Sequence, residues 1–368
     1  MRVAGIIFGL SLIVAAPAFA QDNCGGQPLP PLPQEWLNTA VALTTYAETG
    51  RAGDYAAVAD NSDGQGMSVG LLQWNFGQGT IAKIVNGTPN ADAVALETMP
   101  TYGAAFVSHA RKSASAGSPR TAAVKWAAET QATDRSKLHS EVKKFLAAPS
   151  VTKSQDAAAF EEGNEAWKRA RAWMWGVRDG CRPHFAQFAV FFDYLNHGGK
   201  GNSTEITDVV AAYGAARGSN VNSDTRRRYS QYIALGEATW VMGYPHFRPC
   251  KTPTGTRQQD TGVKRAHGWD AQYNCEVWTK AIESNDGWQL WKNEIFFLAA
   301  LGAKFRPGAR EIFLNRKGTL ALGRGVINGS LCDFTDLYND RERNQKKTLD
   351  EIGDKVEASC KSAQPAPQ

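Results

Sequence analysis

The sequence predicts a mainly α fold (α+β) with one small β element near its front. Three observations predict it. From about residue 90 to 180 the chain is rich in Ala, Lys and Glu, with apolar residues at helical spacing. Only one short run in the front half, Ser68 to Trp74, has the apolar character of a strand. No internal repeat is present, and 42% hydrophobic with 21% charged residues suits an ordinary globular chain.

Residues 1–20 read as a secretory leader: Arg2 supplies the positive start, Val3 to Ala15 the apolar run, and Ala18-Phe19-Ala20 the small-x-small cleavage site. The apolar run is too short for a membrane span, and no second run of about 18 apolar residues follows. A periplasmic or secreted protein beginning near Gln21 is expected. Residues 21–33 form a linker, since Gln-Pro-Leu-Pro-Pro-Leu-Pro at 27–33 lacks the donors that a helix or strand needs. The main domain is expected over 34–360, with a disordered tail over 361–368.

A first helix is expected directly after the linker. Trp36, Leu37, Ala40, Val41, Leu43 and Thr44 recur at helical spacing, and Gly50 is the stop just past Glu48. Residues 54–66, rich in Asp, Asn, Ser and Gly, read as a loop, followed by the Ser68–Trp74 strand. Thr80 is placed to cap a short helix ending near Asn86-Gly87. Further helices are expected over Thr121–Ala132, Ala157–Val177, the strongly apolar Phe185–Leu195, Thr225–Trp240 and Trp288–Leu301. Residues 244–275 read as a long loop.

The six cysteines are Cys24, Cys181, Cys250, Cys275, Cys332 and Cys360. In an oxidising compartment they read as disulfides whose pairing stays open, with Cys24 and Cys360 placed to tie down the two ends. None stands as C-x-x-C, so no metal is expected. The net charge is +5, one unit less once Arg2 leaves with the leader. That mild excess suits an anionic wall polymer. Its dispersed basic residues exclude a nucleic-acid footprint.

The chemistry-bearing stretch is Tyr46-Ala47-Glu48-Thr49-Gly50 followed by the acidic loop from Asp60 to Ser68 and the run Val69 to Asn75. A carboxylate at the end of an amphipathic helix can be desolvated against its own apolar face. That raises its pKa and suits a general acid. A second carboxylate in a wet loop stays ionised, and glycosidic cleavage needs such a pair. Glu48 is the expected acid and Asp63 the expected base. Gln65, Gln73, Trp74 and Asn75 are the expected substrate contacts.

These motifs resemble the lysozyme-like superfamily, in particular the family 46 chitosanases and the related bacterial proteins labelled peptidoglycan-binding. In those chitosanases a helix-end Glu is followed, after a loop, by Asp-Gly-x-Gly-aromatic-Thr-x-Gly. The resemblance implies Glu48 as acid, Asp63 as base and Ser68 as the hydroxyl that holds the attacking water. Here Met67 replaces the aromatic residue and Ser68 the Thr. The likeness to the peptidoglycan-binding group reappears at Arg316-Lys317-Gly318 and over Gly323 to Asp333. It implies a two-lobed fold with the small β element beside a cleft.

Plainer readings stand beside these. Glu48 can be a solvated helix-end carboxylate, and Asp63-Gly64 is also a turn signal, with Asp60 a neighbouring competitor. Gly66-Met67-Ser68-Val69-Gly70 spells the serine-hydrolase elbow, but the strand follows the serine instead of preceding it. The acidic loop does not fit EF-hand spacing. Among 11 tryptophans, Trp167, Trp173, Trp240, Trp278 and Trp291 read as core, and Trp74 as substrate-facing. Asp193 and Asn196 at the end of the Phe185 helix, and Glu237, are reserve candidates. Arg226-Arg227-Arg228 reads as a solvated helix face.

The expectation is an exported glycosidase acting on an amino-sugar polymer, peptidoglycan before chitosan, without cofactor. The alternative is a wall-binding protein that keeps the fold without turnover. An exported toxin is a third reading. Protein partners stay open.

Overall fold

The computed structural model describes residues 28–61, 64–172, 182–197 and 310–362, with short helical pieces at 273–274, 277–278, 295–296 and 298–299. The described chain is mainly helical, with two small antiparallel sheets. None of its helices is long and apolar enough to cross a membrane.

Helix α1 (Gln34–Thr49) begins where the Pro-rich segment ends and stops at Gly50, whose backbone is left-handed (φ 76°) and whose N–H donates to the Tyr46 carbonyl at 2.8 Å. The expected start and stop are thus both found. Almost every residue from Trp36 to Ala47 is buried. A helix covered on most sides lies in the middle of a fold, and its polar groups need internal partners. Thr45 meets that need by donating to the Val41 carbonyl at 2.7 Å and the Leu71 carbonyl at 2.9 Å.

The front β element differs from the single strand expected over Ser68–Trp74. It is a three-stranded sheet, β1 (Val58–Ala59), β2 (Ser68–Val69) and β3 (Trp74–Asn75), with Val58 opposite Val69 and Ser68 opposite Asn75. A tight turn splits the apolar run, because Gly70 (φ 73°) and Gln73 (φ 55°) are both left-handed. Position 70 requires glycine. A Cβ there would lie 2.4 Å from Oε1 of Gln155. That buried amide oxygen accepts the Leu71 N–H at 2.8 Å and locks the turn.

Helices α2 (Ile81–Gly87), α3 (Ala91–Thr98), α4 (Gly103–Ser113), α5 (Ser118–Leu146), α6 (Pro149–Ala172) and α7 (Phe185–His197) follow. Thr80 precedes α2 as expected, but its hydroxyl accepts from the Asn75 N–H at 2.9 Å and does not cap the helix. Trp36, Trp167 and Phe185 meet edge to face at 5.4–5.5 Å where α1, α6 and α7 converge. Phe76, Phe106, Trp126 and Phe145 extend the core under the front sheet. Trp167 and Trp278 are buried, as read from the sequence.

The C-terminal part holds α8 (Arg310–Leu322), β4 (Arg324–Ile327), β5 (Ser330–Asp333), α9 (Thr335–Glu342), α10 (Leu349–Ala358) and β6 (Cys360–Ser362). Its sheet, ordered β4-β5-β6, was not expected. The signal for it is Asn328-Gly329, both left-handed (φ 51° and 75°), between two apolar runs, a strong short-range hairpin signature. Cys332 and Cys360 stand opposite each other on β5 and β6, with Cα atoms 4.1 Å apart, and are disulfide-bonded. That bridge closes the C-terminal sheet and settles one of the pairings left open by the sequence. Cys24, Cys181, Cys250 and Cys275 lie outside the described residues. So do Asp63, Glu237, Trp173, Trp240, Trp291, Arg226–Arg228, the Thr225–Trp240 helix and most of 244–275.

Candidate functional site

Glu48 projects from the last turn of α1 with 22% of its side chain exposed. Its Oε1 accepts from the Arg316 guanidinium of α8 at 2.7 Å. Arg316 also donates through Nε to Oδ1 of Asp193 on α7 at 2.7 Å, and its remaining amino group contacts the same oxygen. Lys317 contacts the other carboxylate oxygen of Asp193 and donates to its backbone carbonyl at 3.2 Å. Asp193 and Lys317 are fully buried, and Arg316 nearly so. Two anions and two cations from α1, α7 and α8 thus close on one another.

The electrostatics follow from that closure. Burial acts to lower the Arg316 pKa, but Asp193 and Glu48 together overcome it and hold the guanidinium firmly charged. Lys317 is pushed down to about 8, first by burial and then by the Arg316 charge, with Asp193 opposing. The Lys317 ammonium also lies over the rings of Phe313 and Tyr194, 4.3 and 4.7 Å from their centroids. Buried charges are expensive, and this arrangement offsets the cost by giving each one an opposite partner.

The end of α1 is fixed from the other side. Asn328, at the left-handed tip of the β4–β5 hairpin, donates its amide to the carbonyls of Ala47 at 2.8 Å and Tyr46 at 3.3 Å. Both carbonyls belong to the last turn of α1, and that of Tyr46 also accepts the Gly50 N–H. The two stretches singled out in the sequence, around Glu48 and over Gly323–Asp333, therefore meet at one place.

The environment of Glu48 differs from the expected one. The sequence suggested a carboxyl desolvated against an apolar face, but a guanidinium stands there instead. An adjacent cation favours the ionised carboxylate. Asp193, a reserve candidate, is buried in the core and linked to Glu48 through Arg316.

The other candidates divide. Asp60 is ion-paired to Arg135 of α5 and lies 3.6 Å from His139. Asn61 and Gly66 bracket the acidic loop, with the Gly66 N–H donating to Oδ1 of Asn61 at 2.7 Å. Ser68 is half-buried on β2, and no helix follows it, which removes the serine-elbow reading. Gln65 packs on Gly77, whose N–H donates to the Gln65 carbonyl at 2.8 Å. Asn75 is buried and spends its Oδ1 on the Gln78 N–H at 2.8 Å. Trp74 is 2% exposed, so its ring is closed to stacking by a sugar.

A cavity of about 470 Å³ opens between β3, α2, α6 and α7, and its wall includes Gln73, Trp74 and Asn196. Of the expected residues, the structure brings these three together. Gln73 turns its amide back onto the Gly70 carbonyl at 3.0 Å. Asn196 lies one helical turn beyond Asp193 on α7. Glu48 does not line the cavity, but α1 supports its rim through Thr45 and the Leu71 carbonyl.

The sequence marks Arg316-Lys317 as part of a motif, not as site residues. The available signal is two adjacent cations flanked by Phe313-Leu314 and Leu320-Ala321-Leu322, since cations drawn into a core need buried anions. Comparison of the chain with family models, with curated proteins and with solved structures gives no match.

Proposed function

We propose that the protein is an exported glycoside hydrolase of an amino-sugar polymer, peptidoglycan before chitosan, on a two-lobed lysozyme-like fold. Glu48 is the acid that protonates the glycosidic oxygen, Asp63 activates water, and Ser68 orients it. The observation that carries the proposal is the placement of a partly exposed Glu48 on a helix end held by Arg316 and Asn328. Arg316 fixes the carboxylate and Asn328 the backbone of the turn that carries it, a preorganisation that suits catalysis.

Arg316 has a definite part in that chemistry. It favours the anion that Glu48 becomes as its proton leaves, and so stabilises charge that develops in the transition state. A polymer strand laid over Glu48 strips its remaining water and favours the protonated form before reaction. Asp193 holds two of the guanidinium nitrogens and leaves the third for Glu48.

The same ion pair favours a second reading. If Glu48 stays an anion throughout, the protein binds hexosamine chains without cutting them. Release of reducing ends from peptidoglycan and from chitosan, measured beside pull-down on the same polymers, separates the two. Turnover on either polymer is expected; retained binding with no new reducing ends assigns the protein to the binding class.

A further inference from the structure

We infer that the 470 Å³ cavity between β3, α2, α6 and α7 binds a ligand carrying both a carboxylate and an ammonium, namely the peptide stem of peptidoglycan. The identity of the stem rests on the polymer proposed above; the charge chemistry of the cavity does not. The volume suits a small ligand or a short peptide. Three cations (Lys83, Arg120 and Arg169) and three carboxylates (Glu161, Glu162 and Glu165) ring it. A glycan strand carries at most one charge on each sugar. A cavity walled by both signs fits a zwitterionic peptide better.

Arg120 is the anion-binding group. It donates through Nε to the Ser113 carbonyl at 2.7 Å and through one amino group to the Ala114 carbonyl at 3.1 Å. Among the described residues no carboxylate pairs with it, so its charge meets only the carbonyls at the end of α4. Its place depends on Gly79, where a Cβ would stand 2.8 Å from the Arg120 amino group. A guanidinium fixed in this way is ready for a carboxylate.

Glu162 is the cation-binding group. Its Oε1 accepts from Lys83 at 3.1 Å, while Oε2 is buried with no hydrogen-bond partner. Only 14% of the side chain is exposed, whereas Lys83 is 47% exposed. An unmet buried carboxylate oxygen is costly, and the exposed Lys83 contact contributes little against it. Swinging the carboxylate into the cavity to meet a ligand ammonium therefore costs Glu162 only that weak contact.

Isothermal calorimetry on the mature full chain tests this. The probe is a synthetic stem peptide with a free C-terminal carboxylate and one free side-chain amine, beside its N-acetylated form, its C-amidated form and a peptide-free chitooligosaccharide. The free peptide is expected to bind, and each blocked form to bind at least about tenfold more weakly. Arg120→Gln should abolish the difference between free and amidated peptide, and Glu162→Gln that between free and acetylated peptide. Equal binding of all three peptides, or none by the free peptide, overturns the inference. The blocked peptides keep the test decisive even where a variant fails to fold. Glu48→Gln should bind peptide as wild type does. Turnover without peptide binding sinks this inference alone, and peptide binding without turnover sinks the hydrolase reading alone.

Discussion

The Arg316 guanidinium bridges Glu48 and Asp193, donating to each at 2.7 Å through different nitrogens. One residue thereby joins a partly exposed carboxylate at a helix end to a carboxylate sealed in the core. The pair Glu48–Arg316 spans 268 positions of sequence.

Removing the bridge leaves two acids without their shared cation. Arg316→Met should lower stability by about 3–5 kcal/mol, the usual cost of breaking a buried pair from one side. Arg316→Lys should lose less, because it keeps the charge and gives up the fork. Urea denaturation of the three proteins checks the order; equal midpoints would remove the network from the stability of the fold.

Asp193 and Lys317 should be coupled. Asp193→Asn alone leaves two buried cations underpaired and should cost about 3–5 kcal/mol. Adding Lys317→Met to Asp193→Asn removes one stranded charge, so the double variant should be more stable than the Asp193→Asn single. A double-mutant cycle measures this directly, and simple additivity would contradict the described contact.

Lys317 should also leave a mark on the pH dependence of stability. Its folded pKa is about 8, against 10.5 for the free side chain. Between those values the unfolded chain holds a proton that the folded chain has released, so the Lys317 contribution rises with pH over that window. Below about pH 8 both states are protonated and the penalty for the buried ammonium is fully present. Wild type minus Lys317→Met, followed by denaturation from pH 7.5 to 10.5, should show this gain; a falling difference would reverse the assignment.

Asn328 should matter to the placement of Glu48 more than to the hairpin. Asn328→Gly keeps the left-handed backbone and deletes the amide that holds Tyr46 and Ala47. A stability loss of about 1 kcal/mol is expected, with a larger proportional fall in kcat than in 1/KM. Steady-state kinetics beside thermal melting checks it, and unchanged kcat would show that the helix end needs no second anchor.

Local signals made much of the fold legible. The Pro-rich entry and Gly50 marked α1, and the apolar run marked α7, because a fully buried helix shows in composition alone. The front sheet was harder. Strands of two residues carry no periodicity, and the left-handed turn at Gln73 is not announced by residue type. The second sheet could have been read from Asn328-Gly329. For the site, Glu48 was visible as a helix-end acid, but Arg316 as its partner was not, since ion pairs between distant segments leave no trace in local spacing. Trp74 looked like a platform and is buried. Its sequence neighbours Gln73 and Asn75 are polar, and its burial comes from residues distant in sequence.

The central claim is that the Glu48 carboxyl transfers a proton. The direct measurement is the rate of reducing-end release from peptidoglycan by Glu48→Gln beside wild type, with the melting temperature of both recorded. A fall of at least ~10²-fold at little-changed melting temperature is predicted. A variant that turns over at the wild-type rate would contradict it.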